Sequence, residues 1–204
     1  DMLAENGVDR VFTVPGESFL AVLDALKDSA IAIVNARHEG GAAIMAEADG
    51  KLTGRPGIAI VTRGPGATNA AAGLHIARQD STPMILLVGQ IARGHREREA
   101  FQEIDYRRMF GEVAKWVAEI DSAERIPELM SRAFHVATSG RPGPVVLALP
   151  EDMLRETATV ALPHPFEPVE TYPGLTQTAQ LQKLLWAAER PFVIAGGSRW
   201  SDKA

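Results

Sequence analysis

Apolar runs of strand length alternate along this chain with amphipathic segments of helix length. Residues 8–14, 31–36, 58–62, 84–89, 114–120 and 145–149 read as strands. Between them, residues 17–27 predict a helix with Phe19, Leu20, Leu23 and Leu26 on one face. Residues 39–52 predict an alanine-rich helix stopped by Gly54-Arg55-Pro56-Gly57, and 67–77 and 123–139 predict two more. Met84-Ile85-Leu86-Leu87-Val88 and Val145-Val146-Leu147-Ala148-Leu149 are apolar without interruption. A strand with one wet face alternates; a strand covered on both faces does not, and that is the habit of parallel sheets wrapped by helices. The expected class is therefore α/β, a parallel sheet with helices on both faces, over residues 1–153.

The pattern changes at the ends. Residues 1–7 read as the last turns of a helix with a glycine stop at Gly7. Pro163, Pro165, Pro168 and Pro173 mark residues 154–174 as an extended linker. A helix over 176–189, capped at Thr176 or Thr178, and a strand over 191–197 then open a second α/β unit, residues 175–204, which stops short. The expectation is a fragment of something larger. Residues 90–112 form a long charged connection, and connections of that length inside a compact domain are usually functional or mobile.

Composition narrows the classes. The chain has 204 residues, 46% hydrophobic and 23% charged, which is ordinary for a globular protein. With no cysteine there is no disulfide scaffold, zinc ribbon or cysteine nucleophile. A net charge of −5 gives no footprint for nucleic acid. No uninterrupted apolar stretch of about 18 residues predicts a membrane span. The lack of a leader and of cysteine points to the cytosol.

In parallel sheets ligands bind at the carboxyl ends of the strands. Those ends carry Pro15-Gly16-Glu17, then Arg37-His38-Glu39-Gly40-Gly41, then Thr62-Arg63-Gly64-Pro65-Gly66-Ala67-Thr68-Asn69, then Gly89-Gln90. Any strand-to-helix loop can look like this, so the pattern alone does not choose. Glu39 is either a carboxylate stabilised by a helix N-terminus or a buried acid that shares a proton with a ligand. The Gly64–Asn69 turn fits neither a dinucleotide fingerprint nor a P-loop. The five histidines lack the spacing of a metal motif, and Ser18, Ser29 and Ser81 lack a nucleophile elbow. The charge run 93–99 reads as a solvated loop face, and Phe101-Gln102 beyond it as a possible lid.

Taken in order, these segments resemble the N-terminal pyrimidine-binding domain of thiamine-diphosphate-dependent enzymes of the acetolactate synthase-like group. The resemblance is carried by Val11-Phe12-Thr13-Val14-Pro15-Gly16, Arg37-His38-Glu39-Gly40-Gly41-Ala42-Ala43 and the turn from Thr62 to Asn69. Asp80-Ser81-Thr82-Pro83-Met84, Gly89-Gln90, Ala100-Phe101-Gln102-Glu103 and Arg141-Pro142-Gly143-Pro144-Val145 follow in the family's order. It implies that Glu39 is the catalytic glutamate that hydrogen-bonds N1′ of the aminopyrimidine. Pro15, Gly16, Thr62, Pro65 and Asn69 would line the cofactor pocket with it, and Phe101 and Gln102 would face the substrate. The implied reaction acts on small 2-keto acids through a C2 ylid, as a lyase or carboligase.

The same resemblance implies Mg2+ bound with the diphosphate by a domain missing here, a homodimer or homotetramer, and no metal site among these residues. It leaves FAD open, since a flavin would bind in the middle domain that the chain barely enters. The fragment alone is expected to be inactive. Two departures leave the particular reaction open: Gly40-Gly41 stands where biosynthetic acetolactate synthases usually have Gln-Ala, and Glu17-Ser18 where they usually have Gly-Ala. The alternatives are a benzoylformate- or oxalyl-CoA-type decarboxylase, or a non-catalytic assembly module built on the small-residue helices.

Overall fold

A computed structural model describes residues 1–161, 163–194, 196 and 197. Six strands form one sheet: β1 (Arg10–Thr13), β2 (Ala32–Asn35), β3 (Gly57–Val61), β4 (Met84–Gln90), β5 (Trp116–Glu119) and β6 (Pro144–Pro150). Their order is β2-β1-β3-β4-β6-β5, and every pair is parallel. The helices are α1 (Met2–Glu5), α2 (Leu20–Lys27), α3 (Glu39–Thr53), α4 (Pro65–Asp80), α5 (Tyr106–Phe110), α6 (Ile126–Thr138) and α7 (Leu175–Ala187).

Strand side chains alternate between two apolar layers. Ile58, Ile60, Ile85, Leu87, Val145 and Leu147 face the side covered by α1, α2 and α6, where Leu26, Met130 and Phe134 meet them. Ala59, Val61, Leu86, Val88 and Val146 face the side covered by α3, α4 and α5. β4 and β6 are buried along their whole length, as their unbroken apolar runs predict, and so is β3.

On the α3/α4 side the layer is built from small residues: Ala42, Ala43, Ala46, Ala67 and Ala70 are all fully buried. They let the helices approach one another and the sheet very closely. A Cβ on Gly57 of β3 would lie 1.8 Å from the Ala46 carbonyl oxygen of α3. This closeness places the N-termini of α3 and α4 side by side at the carboxyl edge of the sheet.

Several expectations are corrected. Leu20 is 58% exposed instead of sharing the buried face of α2. Residues Glu17–Phe19 form a 3-10 turn, and this tighter winding turns Phe19 and Ser18 inward in its place. The long connection after β4 contains α5, whose five residues are too few to show a period. Helix α7 begins at Leu175 with Gly174 as N-cap; Thr178 Oγ1 donates to the Gly174 carbonyl and neither threonine caps. Residues 191–194 form no strand, and Phe192, Val193 and Ile194 lie exposed, since no strand among the described residues pairs with them. Ala195, within that expected strand, lies outside the described residues. Between Glu156 and Gly174 the described residues form no helix or strand, and the segment is tied down at Phe166, whose N–H donates to Asn6 Oδ1 and whose ring stacks on Phe134.

Candidate active site

Because all strands run one way, the loops after β1, β2, β3 and β4 gather at a single edge. Thr62, the first residue past β3, is the hub. Its Oγ1 shares a 2.9 Å hydrogen bond with Ser18 Oγ, which also accepts from the Arg63 N–H. Gly16 lies against it: a Cβ there would stand 2.5 Å from Thr62 Cβ. Gly66 lies against its other side, where a Cβ would meet Thr62 Cγ2 at 2.8 Å and Glu39 Oε1 at 3.4 Å. Two bare glycine backbones thus pack directly against Thr62, and Gly66 stands between that hub and Glu39.

Glu39 is the first residue of α3 and is half-buried, not buried as one reading of the sequence had it. The helix start faces open space at the sheet edge, which leaves one side of the carboxylate wet. His38 caps the helix, with Nδ1 accepting the Gly40 N–H at 3.0 Å. Asn69, one turn into α4, donates from Nδ2 to Glu39 Oε2 at 2.9 Å. Among the described residues Oε1 accepts no hydrogen bond, and it is the oxygen that lies toward Gly66. Pro65 supplies the first residue of α4, where its fixed φ suits the helix start. Gly16, Thr62, Pro65, Asn69 and Glu39 therefore share one site. Pro15 stands beside Gly16 on the exposed approach.

Gln102 reaches this site from the connection after β4. Gly64, at φ +62°, sits so close beneath it that a Cβ would meet Gln102 Cβ at 2.6 Å. Phe101 beside it is 78% exposed.

Sequence reasoning passed over three groups here. Arg63 is buried: Nη1 bonds Glu151 beyond β6 at 2.6 Å, and Nη2 bonds Glu17 beyond β1 at 3.1 Å. A lone arginine inside a glycine-proline turn was the available signal. Tyr106 is also buried; its hydroxyl accepts the Gly64 N–H and donates to the Gly89 carbonyl, both at 3.1 Å. Burial pushes this phenol up to about 12, against smaller opposing effects of the Gly64 hydrogen bond and Arg63. Finally, the charge run 93–99 is not simply a solvated face. Arg93 is clasped by Asp152 and Glu156, and Arg96 pairs with Glu119. Among the described residues no group of three His, Cys, Asp or Glu side chains could hold a metal, and no helix is long and apolar enough to cross a membrane.

The fold and this edge define a cofactor-binding α/β domain of one family. Residues 1–109 match the family described as thiamine pyrophosphate enzyme, N-terminal TPP binding domain, and the chain belongs to it. Among curated relatives, the acetolactate synthase of Bacillus subtilis is 40% identical over 156 residues, covering 76% of this chain and 27% of the relative. The acetolactate synthase isozyme 2 large subunit of Escherichia coli is 37% identical over 198 residues, covering 96% of this chain and 36% of the relative. A probable acetolactate synthase large subunit of Methanocaldococcus jannaschii is 36% identical over 203 residues, covering 96% and 34%. The chain thus spans about a third of the length of the relatives it matches.

Proposed function

We propose that this chain is the aminopyrimidine-side domain of a thiamine-diphosphate-dependent, acetolactate synthase-like enzyme that acts on small 2-keto acids. Its relatives' names and its family support the class, and one observation carries the assignment of the site. Glu39 has one carboxylate oxygen held by Asn69 and the other without a hydrogen bond among the described residues, beside the bare backbone of Gly66. A flat heterocycle whose ring nitrogen is to be protonated needs such an arrangement: backbone close enough to stack on, and one free carboxyl oxygen at its edge.

The residues fit the cofactor. Bound thiamine diphosphate supplies the carbanion chemistry at the keto carbon. Glu39 holds the proton at the pyrimidine nitrogen, and Asn69 fixes the carboxyl plane. Gly16, Pro15 and Pro65 admit the ring at close range, with Thr62 as the floor. Gln102 and Phe101 stand where a substrate would approach. Mg2+ and the diphosphate belong to residues outside this chain, and a homodimer or homotetramer in the cytoplasm completes the site; FAD use fits the same class. Residues 1–153 form the pyrimidine-binding domain, 154–174 the linker and 175–204 the opening of the middle domain.

The test is Glu39→Gln in the full-length protein, read by NMR as exchange of the C2 proton of added thiamine diphosphate. Exchange should slow by about a hundredfold or more. Exchange at the parental rate would remove Glu39 from the mechanism and favour a non-catalytic assembly role.

A further inference from the structure

The connection between β4 and α5 carries an unusual backbone. Three non-glycine residues in six positions are left-handed: Glu97 at φ +59°, Glu99 at +53° and Gln102 at +67°. Such conformations persist only where the surroundings hold them. Little apolar packing does so here. A cavity of about 310 Å³ lies behind the segment, lined by Gln90, Glu97, Glu103, Ile104 and Tyr106 among others.

A few polar contacts do the holding instead. Gln90, the last residue of β4, donates from Nε2 to the Ile104 carbonyl and accepts the Ile91 N–H at Oε1, each at 2.9 Å. The Glu103 carboxylate accepts the Glu97 N–H across the loop. The Tyr106 hydroxyl bonds both the Gly64 N–H of the site turn and the Gly89 carbonyl of β4. Its phenol, raised to about 12, stays protonated and so keeps both roles. Tyr106 and the Gln90 bond to Ile104 pin the chain just after Gln102, which is pressed onto Gly64.

We propose that Tyr106 and Gln90 are positioning residues which hold 97–105 as a fixed wall of the site, and that this wall sets which 2-keto acids are admitted. The inference rests on the functional reading above, and it replaces the expectation of a mobile lid. With a cavity behind it, the wall depends on these bonds and on the Arg96–Glu119 ion pair at its start. Deleting one hydroxyl or one amide therefore displaces Phe101 and Gln102 without disturbing the sheet.

The test uses Tyr106→Phe and Gln90→Leu in the full-length protein, with two readouts. Hydrogen exchange of the 97–105 amides should accelerate in both variants. For pyruvate, KM should rise about tenfold while kcat stays within about threefold, because binding geometry is lost and chemistry is kept. The preference for pyruvate over a bulkier 2-keto acid such as benzoylformate should change by about fivefold or more in both variants. Faster exchange together with an altered preference supports the proposal. An unaltered preference in both variants, with the parental protein turning over normally, overturns it. A parental protein that neither exchanges the C2 proton nor consumes any 2-keto acid overturns the functional reading, and this inference with it.

Discussion

The Asn69 side-chain amide donates to Glu39 Oε2 at 2.9 Å, and by that bond the first turns of α3 and α4 share one orientation. The bond joins residues that lie thirty positions apart, and it exists only because the small-residue layer lets the two helices touch. Asn69→Ala removes the donor and leaves the carboxylate free to turn toward water. A misaligned base is slow even when its chemistry is intact. Exchange of the C2 proton of thiamine diphosphate should fall by about tenfold, and stability should change by about 1 kcal/mol or less because the pair is partly wet. NMR exchange and urea unfolding of the same variant check both parts.

Tyr106 gives the protein an alkaline weakness. Its phenol moves from an ordinary 10.0 to about 12 on folding, chiefly through burial. Between those two values the unfolded chain has lost the proton that the folded chain keeps. Stability is therefore full below about pH 10 and declines as pH rises toward 12. The decline from this one group should amount to about 2–3 kcal/mol. Urea midpoints measured from neutrality upward should fall in the parental protein, and Tyr106→Phe should lack this component of the fall.

The contact between α3 and β3 is equally specific. A Cβ on Gly57 would lie 1.8 Å from the Ala46 carbonyl oxygen and 2.7 Å from its carbon. Both are helix backbone and cannot turn aside as a side chain would. Gly57→Ala should therefore lift α3 from the sheet at a cost of about 3 kcal/mol, and Glu39, at the start of the same helix, should shift with it. Calorimetry gives the first effect, and slowed C2 proton exchange in the folded variant gives the second.

The sheet was legible because burial on both faces writes itself as unbroken apolar runs, as in residues 84–88 and 145–149. The α3 start was legible because a polar cap precedes a small-residue helix. The grouping of Glu39 with Asn69 and Thr62 came through family resemblance, since nothing in local spacing says that two helix starts will touch. Leu20 was misread because a 3-10 turn breaks the helical phase just before it. The burial of Arg63 and Tyr106 was hidden for a different reason. Each is fixed by partners at the ends of other strands, Glu151 and Gly89, which only the strand order brings near. Residues 191–194 show the converse, for apolar residues do not make a strand unless another strand pairs with them.

Arg93 closes the opposite end of the connection that Tyr106 anchors, and its clasp is sensitive to acid. The Arg93 N–H and Nε bond the Asp152 carboxylate at 3.0 and 2.8 Å, and the guanidinium also meets Glu156, whose other oxygen accepts the Ala123 N–H. Burial pushes the Asp152 carboxyl up, but the hydrogen bonds and charge of Arg93 outweigh it and hold the group below its ordinary 3.8. The Ala123 N–H and Arg93 likewise hold Glu156 below 4.5. A carboxyl lowered on folding adds stability that is complete above its unfolded value and vanishes as pH falls through its folded value. The clasp should accordingly be intact at neutrality, and its contribution should fade as pH falls below the ordinary carboxylate values of 3.8 and 4.5. Asp152→Asn should lower the urea midpoint near neutrality, and its deficit against the parental protein should shrink as the pH is taken down toward 3. Added salt should shrink the deficit too, since these side chains are about a third exposed. A deficit that stayed constant with pH and salt would mean that Asp152 acts through its shape and not its charge.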